Sequence, residues 1–198
     1  MDLKRYRSYF VFDKRLLFWR IVRSFIPIRP SRTQIDVDVV GPFFAVTILL
    51  ILLYCAPSSK LESAPVSPLY AVLFYILVIP ISLFILLKAD KSYLNIFQIF
   101  GLIGYALYSH IFVILCGLFS FDPTGFNGWV LYAYLILPGL ASLKLFTVFL
   151  IRTRNPGLRF LVCSIACISN MLFLLFTYLF YVHPSYTHPG FAGRIEQW

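Results

Sequence analysis

The sequence predicts an all-α fold, a polytopic transmembrane bundle of five helical spans with a cytosolic N-terminus and a lumenal C-terminus. Three observations predict it: composition, the lengths of the apolar stretches, and the placement of the basic residues. Of the 198 residues, 60% are hydrophobic and 13% charged, with a mean hydropathy of +0.84. A soluble domain is nearer half apolar, with about a quarter of its residues charged. So little polar surface cannot cover this much apolar side chain in water, and lipid is the solvent for most of the chain.

The N-terminal segment, 1–38, reads as a basic cytosolic region. It holds nine Lys/Arg residues: Lys4, Arg5, Arg7, Lys14, Arg15, Arg20, Arg23, Arg29 and Arg32. It does not read as a cleavable signal peptide, because Arg20 and Arg23 interrupt its apolar run and no small-residue cleavage site follows. Over 16–26 (LLFWRIVRSFI), Arg20, Arg23 and Ser24 share one helical face and apolar residues take the rest. Two uses fit that pattern. One is an interfacial helix with Arg20 and Arg23 toward anionic headgroups, and the other is a positive flank that only sets topology.

A helix crossing the hydrocarbon core needs roughly 17–25 mostly apolar residues. Five stretches meet that length, at about 39–56, 69–87, 94–119, 129–151 and 158–182, which makes 39–182 a membrane domain. The connectors between them are short and carry the Pro, Gly, Ser, Asn and Asp of turns. Lys88 and Lys91 in the second connector, and Arg152, Arg154 and Arg159 around the fourth, fall on the same side as the basic N-terminus when the spans number five. The opposite side keeps only Lys60 and Arg194, so Lys/Arg asymmetry puts the N-terminal side in the cytosol. The segment 183–198, with His183 and His188, is expected to be a short solvated lumenal tail.

The first span opens on Asp38-Val39-Val40-Gly41-Pro42-Phe43-Phe44. A carboxylate suits the positive end of a helix, and proline suits its first turn, where a missing N–H costs nothing. A well-made helix start therefore accounts for these residue types without any function. The third span carries Phe100-Gly101-Leu102-Ile103-Gly104-Tyr105-Ala106-Leu107. Together the Asp-x-x-Gly-Pro-Phe entry, the Gly-Tyr-x-Leu stretch and the five-span layout resemble the Yip family of Ypt/Rab-interacting membrane proteins. That family's Leu-Tyr stands here as Val39-Val40, and the serine after its Gly-Tyr as Ala106.

The resemblance implies a multi-pass protein of the Golgi and endoplasmic reticulum acting in vesicle-mediated transport. It implies prenylated Rab-type GTPases and family-related membrane proteins as partners, in a homo- or hetero-oligomer, and no enzymatic activity. Its candidate partner-binding residues are Asp38, Gly41, Pro42, Phe43, Gly104 and Tyr105. Membrane lipids are partners in any case, and the net charge of +9 reports orientation and lipid contact rather than nucleic acid.

The remaining polar residues are read more plainly. Lys144 is the formal charge well inside a span; snorkelling or a structural hydrogen bond is favoured over an ion pathway. His110, with no second ligand in view, is read as an interhelical contact rather than a metal or proton site. Gly101 and Gly104 are read as packing positions, with a face for a partner's helix as the sharper use. Pro80 and Pro138-Gly139 are expected to kink their helices. Cys55 and Cys116 fall at the same membrane side, with free thiols favoured over a disulfide, and packing is favoured for Cys163 and Cys167. No catalytic, cofactor or metal site is expected. The alternative reading is a small-molecule or ion transporter or channel, for which Lys144 and His110 are the only candidate path residues.

Overall fold

A computed structural model describes residues 14–25, 38–55, 64–119 and 128–182. Among these residues the chain is helical throughout its regular structure, in six α-helices: α1 (Lys14–Phe25), α2 (Val40–Tyr54), α3 (Pro68–Ala89), α4 (Ile96–Phe119), α5 (Gly128–Arg152) and α6 (Pro156–Thr177). A π-helical turn, Tyr178–Val182, continues α6. Three segments are long and apolar enough to cross a membrane: Pro68–Ala89, Ile96–Cys116 and Pro156–Val182. The helix α2 is shorter, with 15 residues spanning about 22 Å at 1.5 Å per residue. Lys60, Arg194, His183, His188 and most of the N-terminal basic residues lie outside the described residues.

The helix ends follow local chemistry. Pro68 and Pro156 each occupy the first turn of their helix, and the Asn155 side chain accepts the Gly157 N–H at 3.1 Å as an N-cap. The helix α3 stops in a Schellman turn: the Lys91 N–H reaches the Lys88 carbonyl and the Ser92 N–H the Leu87 carbonyl, each at 3.0 Å. Lys91 stands at the left-handed position of that turn, with φ 54°, where glycine is the ordinary occupant. A side chain there costs about 1 kcal/mol. Pro80 and Pro138 sit inside α3 and α5, and both helices continue through them.

Contacts between residues fix the relative directions of the helices. Asp38 and Gly41 meet Tyr105 and Tyr108 in that order, so α2 runs parallel to α4. Cys163 meets Phe146 and Cys167 meets Ser142, so α6 runs antiparallel to α5. Tyr75 meets Asn170 and Val66 meets Tyr181, so α3 runs antiparallel to α6. The short connector 90–95 turns the chain back between α3 and α4, so with these contacts the direction alternates from α2 to α6. The start of α2 and the end of the π-helical turn lie toward opposite ends of the bundle. The connectors after α3 and α5 share the end where α2 starts: both Asp90 carboxylate oxygens accept backbone N–H groups, from Arg154 at 2.6 Å and Asn155 at 2.8 Å.

The central helix is α4, buried on every side from Gly101 to Ile111. Burial departs from that of a soluble protein both inside and out, because an otherwise apolar core includes polar groups and the exterior is apolar. The interior holds Ser109, His110, Ser142, Asn170 and Thr177, while Phe74, Leu77, Ile81, Ile85, Ile168 and Leu172 face outward. Hydroxyls on the outer faces return to their own helix: Thr47 donates to the Phe43 carbonyl, Ser82 to Val78 and Thr147 to Leu143. That is how a polar side chain is satisfied where no water is at hand.

A carboxylate node where α1, α2 and α4 meet

Asp38 lies one residue before the N-cap of α2, and it is 4% exposed. Its Oδ1 accepts two donors, the Gly41 backbone N–H at 2.8 Å and the Tyr105 hydroxyl at 2.9 Å. Its Oδ2 takes an Nη1 donor from Arg20 in an ion pair that is the only one among the described residues. A buried carboxylate is stable only when paired and hydrogen-bonded, and three donors from three helices meet that requirement here.

Gly41 and Gly104 are glycines because two backbones approach closely beside this carboxylate. A Cβ on Gly41 would stand 2.5 Å from the Tyr105 ring carbon Cζ, and a Cβ on Gly104 2.9 Å from the Cα of Pro42. The Tyr108 hydroxyl donates to the Gly41 carbonyl at 3.0 Å. Pro42 thus rides directly over Gly104, while the neighbouring rings of Tyr105 and Tyr108 bond the entry of α2 from α4. Five of the six candidate partner-binding residues, Asp38, Gly41, Pro42, Gly104 and Tyr105, are brought together in this node. Phe43 points the other way and is 68% exposed.

Position along the helices shows how deep the node lies. Gly104 comes eight residues after the start of α4, about 12 Å along its axis. The short helix α2 therefore begins part-way down the bundle, and α1 occupies the space above it against α4 and α5. Lys144, likewise eight residues from the end of α5, donates from Nζ to the Arg23 backbone carbonyl and pins the last turn of α1. This is the structural hydrogen bond favoured for Lys144.

The basic face of α1 is consequently divided. Arg20 turns inward onto Asp38 rather than outward to headgroups, and Ser24 is buried with it, while the Arg23 side chain is exposed. The outward face of α1 is mixed, with Leu16, Phe18 and Trp19 exposed alongside Arg15 and Arg23. The helical pattern alone does not show the inward contact of Arg20, because its partner sits eighteen residues later and a 3.6-residue period does not reach it.

A second polar cluster joins four helices. Tyr75 of α3 donates to Asn170 Oδ1 at 3.0 Å, and Asn170 Nδ2 donates to the Ser142 hydroxyl of α5 at 2.8 Å. His110 of α4 places Nε2 3.1 Å from the Asn170 carbonyl and Nδ1 3.2 Å from the Ala106 carbonyl. Tyr75 also stacks on Phe173, with ring centroids 4.1 Å apart. His110 is the interhelical contact expected of it. Asn170, the hub of the cluster, was not among the expected sites, although an asparagine inside a long apolar stretch is a signal that some partner must be found for it.

No group of three or more His, Cys, Asp or Glu residues among the described residues could hold a metal ion, and the four cysteines are free thiols. The Cys163 and Cys167 thiols donate to carbonyls of α5 as packing contacts.

Comparison with known proteins gives one family match. The family model described as YIPF3 C-terminal domain matches residues 16–186, a range that begins within α1 and covers both motifs and every helix after them. No solved structure matches.

Proposed function

Because the chain belongs to the Yip family, through a YIPF3 C-terminal domain that covers most of its length, we propose that it is a non-catalytic membrane adaptor in vesicle traffic between endoplasmic reticulum and Golgi. It crosses the bilayer five times, with α1 and the basic connectors on the cytosolic side and the tail in the lumen. The alternating directions of α2 to α6 favour that count, and the clustering of Lys88, Lys91, Arg152, Arg154 and Arg159 at one end favours that orientation.

The observation that carries this reading is the meeting of the two sequence signatures at Asp38. The Asp-x-x-Gly-Pro entry and the Gly-Tyr stretch lie more than sixty residues apart in the chain and form one node. That node fixes α1, and with it the cytosolic face on which a prenylated Rab-type GTPase or a family-related membrane protein docks. The node itself offers no chemistry: its carboxylate is fully engaged, so its work is positional. The transporter alternative would need a polar path, and the His110–Asn170–Ser142 cluster is instead closed by its own hydrogen bonds.

The test is proximity labelling in intact membranes, with an unrelated multi-pass protein expressed at the same level as reference. Trafficking GTPases or family-related proteins should be enriched several-fold over that reference. Labelling profiles that coincide would refute the adaptor role, and substrate flux in liposomes carrying the purified chain would replace it with transport.

A further inference from the structure

The end of the bundle where the connectors after α3 and α5 meet carries a charge excess that the carboxylate node does not use. Over 88–93 and 152–159 stand Lys88, Lys91, Arg152, Arg154 and Arg159 against one acid, Asp90. Asp90 is buried, and both of its oxygens are taken by the backbone N–H groups of Arg154 and Asn155, so it draws the connectors together without pairing a side-chain cation. Two of the five cations turn toward the protein: Arg159 donates through Nε and Nη2 to the Thr153 carbonyl, and Arg152 has its Nε buried with no acceptor among the described residues.

Lys88, Lys91 and Arg154 are exposed, and among the described residues no carboxylate pairs with them. They are not loosely strewn. Arg154 lies over the Tyr93 ring, 5.1 Å from its centroid, and gives one N–H of its guanidinium to the Tyr93 hydroxyl at 3.1 Å. That leaves most of its five donors for another acceptor. The Lys88 ammonium sits 5.5 Å from the Phe84 ring. Lys91 follows Lys88 in the same turn, its N–H on the Lys88 carbonyl, in a left-handed backbone that glycine would adopt without cost. Tyr93 itself is 79% exposed, and Phe160, near the start of the helix that follows Arg154, is 77% exposed. Exposed aromatics beside Lys and Arg at the end of a transmembrane bundle mark the headgroup level of a bilayer.

We propose that the docked connectors form a binding site for the phosphate of an anionic lipid headgroup, with Lys88, Lys91 and Arg154 as its cations and Tyr93 as the residue that orients Arg154. A planar guanidinium prepositioned on a ring recognises phosphate through paired N–H donors, and the two ammonium groups add charge. A site of this kind ties a lipid of the leaflet to both connectors at once.

Lys91→Gly gives the cleanest test, because it removes a cation while relieving the backbone. The full chain is purified in mild detergent and offered an equimolar mixture of phosphatidylcholine, phosphatidylserine and a phosphoinositide. Retained lipids are then read by native mass spectrometry, and folding is followed by thermal shift. Wild type should retain the anionic lipids over phosphatidylcholine. Lys91→Gly and Arg154→Gln should each lower that preference about fivefold, with the melting temperature of Lys91→Gly unchanged or raised. Tyr93→Phe should give a smaller loss, since the ring remains.

Two results would overturn the proposal. One is an unchanged anionic preference in the Lys91→Gly/Arg154→Gln double variant, which would reduce these cations to topology signals. The other is displacement of the lipid by millimolar inorganic phosphate, which would make this a site for a soluble phosphate rather than for the leaflet.

Discussion

At the scale of single residues, Asp38 carries more than any other side chain. Removing it leaves Arg20 half-buried without its counter-charge, the Tyr105 hydroxyl without its acceptor and the Gly41 N–H uncapped. Asp38→Ala should therefore destabilise the protein by about 3–5 kcal/mol, the cost of breaking a buried pair from one side. Tyr105→Phe removes one donor of three and should cost only about 1 kcal/mol. Thermal unfolding of the two variants in detergent checks the order, and equal costs would mean that the carboxylate is not the hub. Glycines give a second contrast. Gly104→Ala places a methyl against Pro42 and should cost about 1–3 kcal/mol through overpacking. Gly139→Ala meets nothing within 4 Å and should be neutral or stabilising by about 0.5–1 kcal/mol, since alanine is the better helix former. The residue types of the node were legible in the sequence, because acid, glycine and proline at a helix entry form a local pattern. Their contact with Gly104 and Tyr105 was not, since more than sixty residues of chain separate the two motifs and only packing closes that distance.

At the scale of elements, α1 is the helix whose role the sequence left open and the structure defines. Its twelve residues bury only part of their surface, and a free helix this short is marginal in water. What holds it are two polar anchors, Arg20 on Asp38 and Lys144 on the Arg23 carbonyl, with Leu17, Ile21 and Phe25 packed against the core. Lys144→Met keeps the length and apolar stem of the side chain and removes its donor. Backbone amides of 14–25 should then exchange with deuterium at least several-fold faster, while those of α4 and α6 keep their protection, as expected of a local opening. Uniform exchange across all helices would show instead that α1 and the bundle unfold together. The bounds of the longer helices were readable to within two residues, because sustained hydropathy and turn-forming Pro, Gly and Asn mark both edges. The inward turn of Arg20 was not readable, because an arginine on an amphipathic face looks the same whether it faces headgroups or a buried acid.

At the scale of the whole molecule, the fold sets a few polar groups inside an apolar core and leaves large apolar side chains on the outside as well. It joins helices by hydrogen bonds where the hydrophobic effect between them is absent. Asn170 illustrates the rule, with contacts to α3, α4 and α5 from one side chain and its own carbonyl. The alternation from α2 to α6 puts the basic connectors at one end and the Val66–Tyr181 contact at the other. On the proposed function, α1 and the connectors would face the cytosol and the tail would lie across the membrane from them. Epitopes placed before α1 and after the π-helical turn, stained in cells whose plasma membrane alone has been permeabilised, test that arrangement most directly. The N-terminal epitope should stain at once and the C-terminal epitope only after internal membranes are opened; staining of both in the first step would contradict an odd number of crossings.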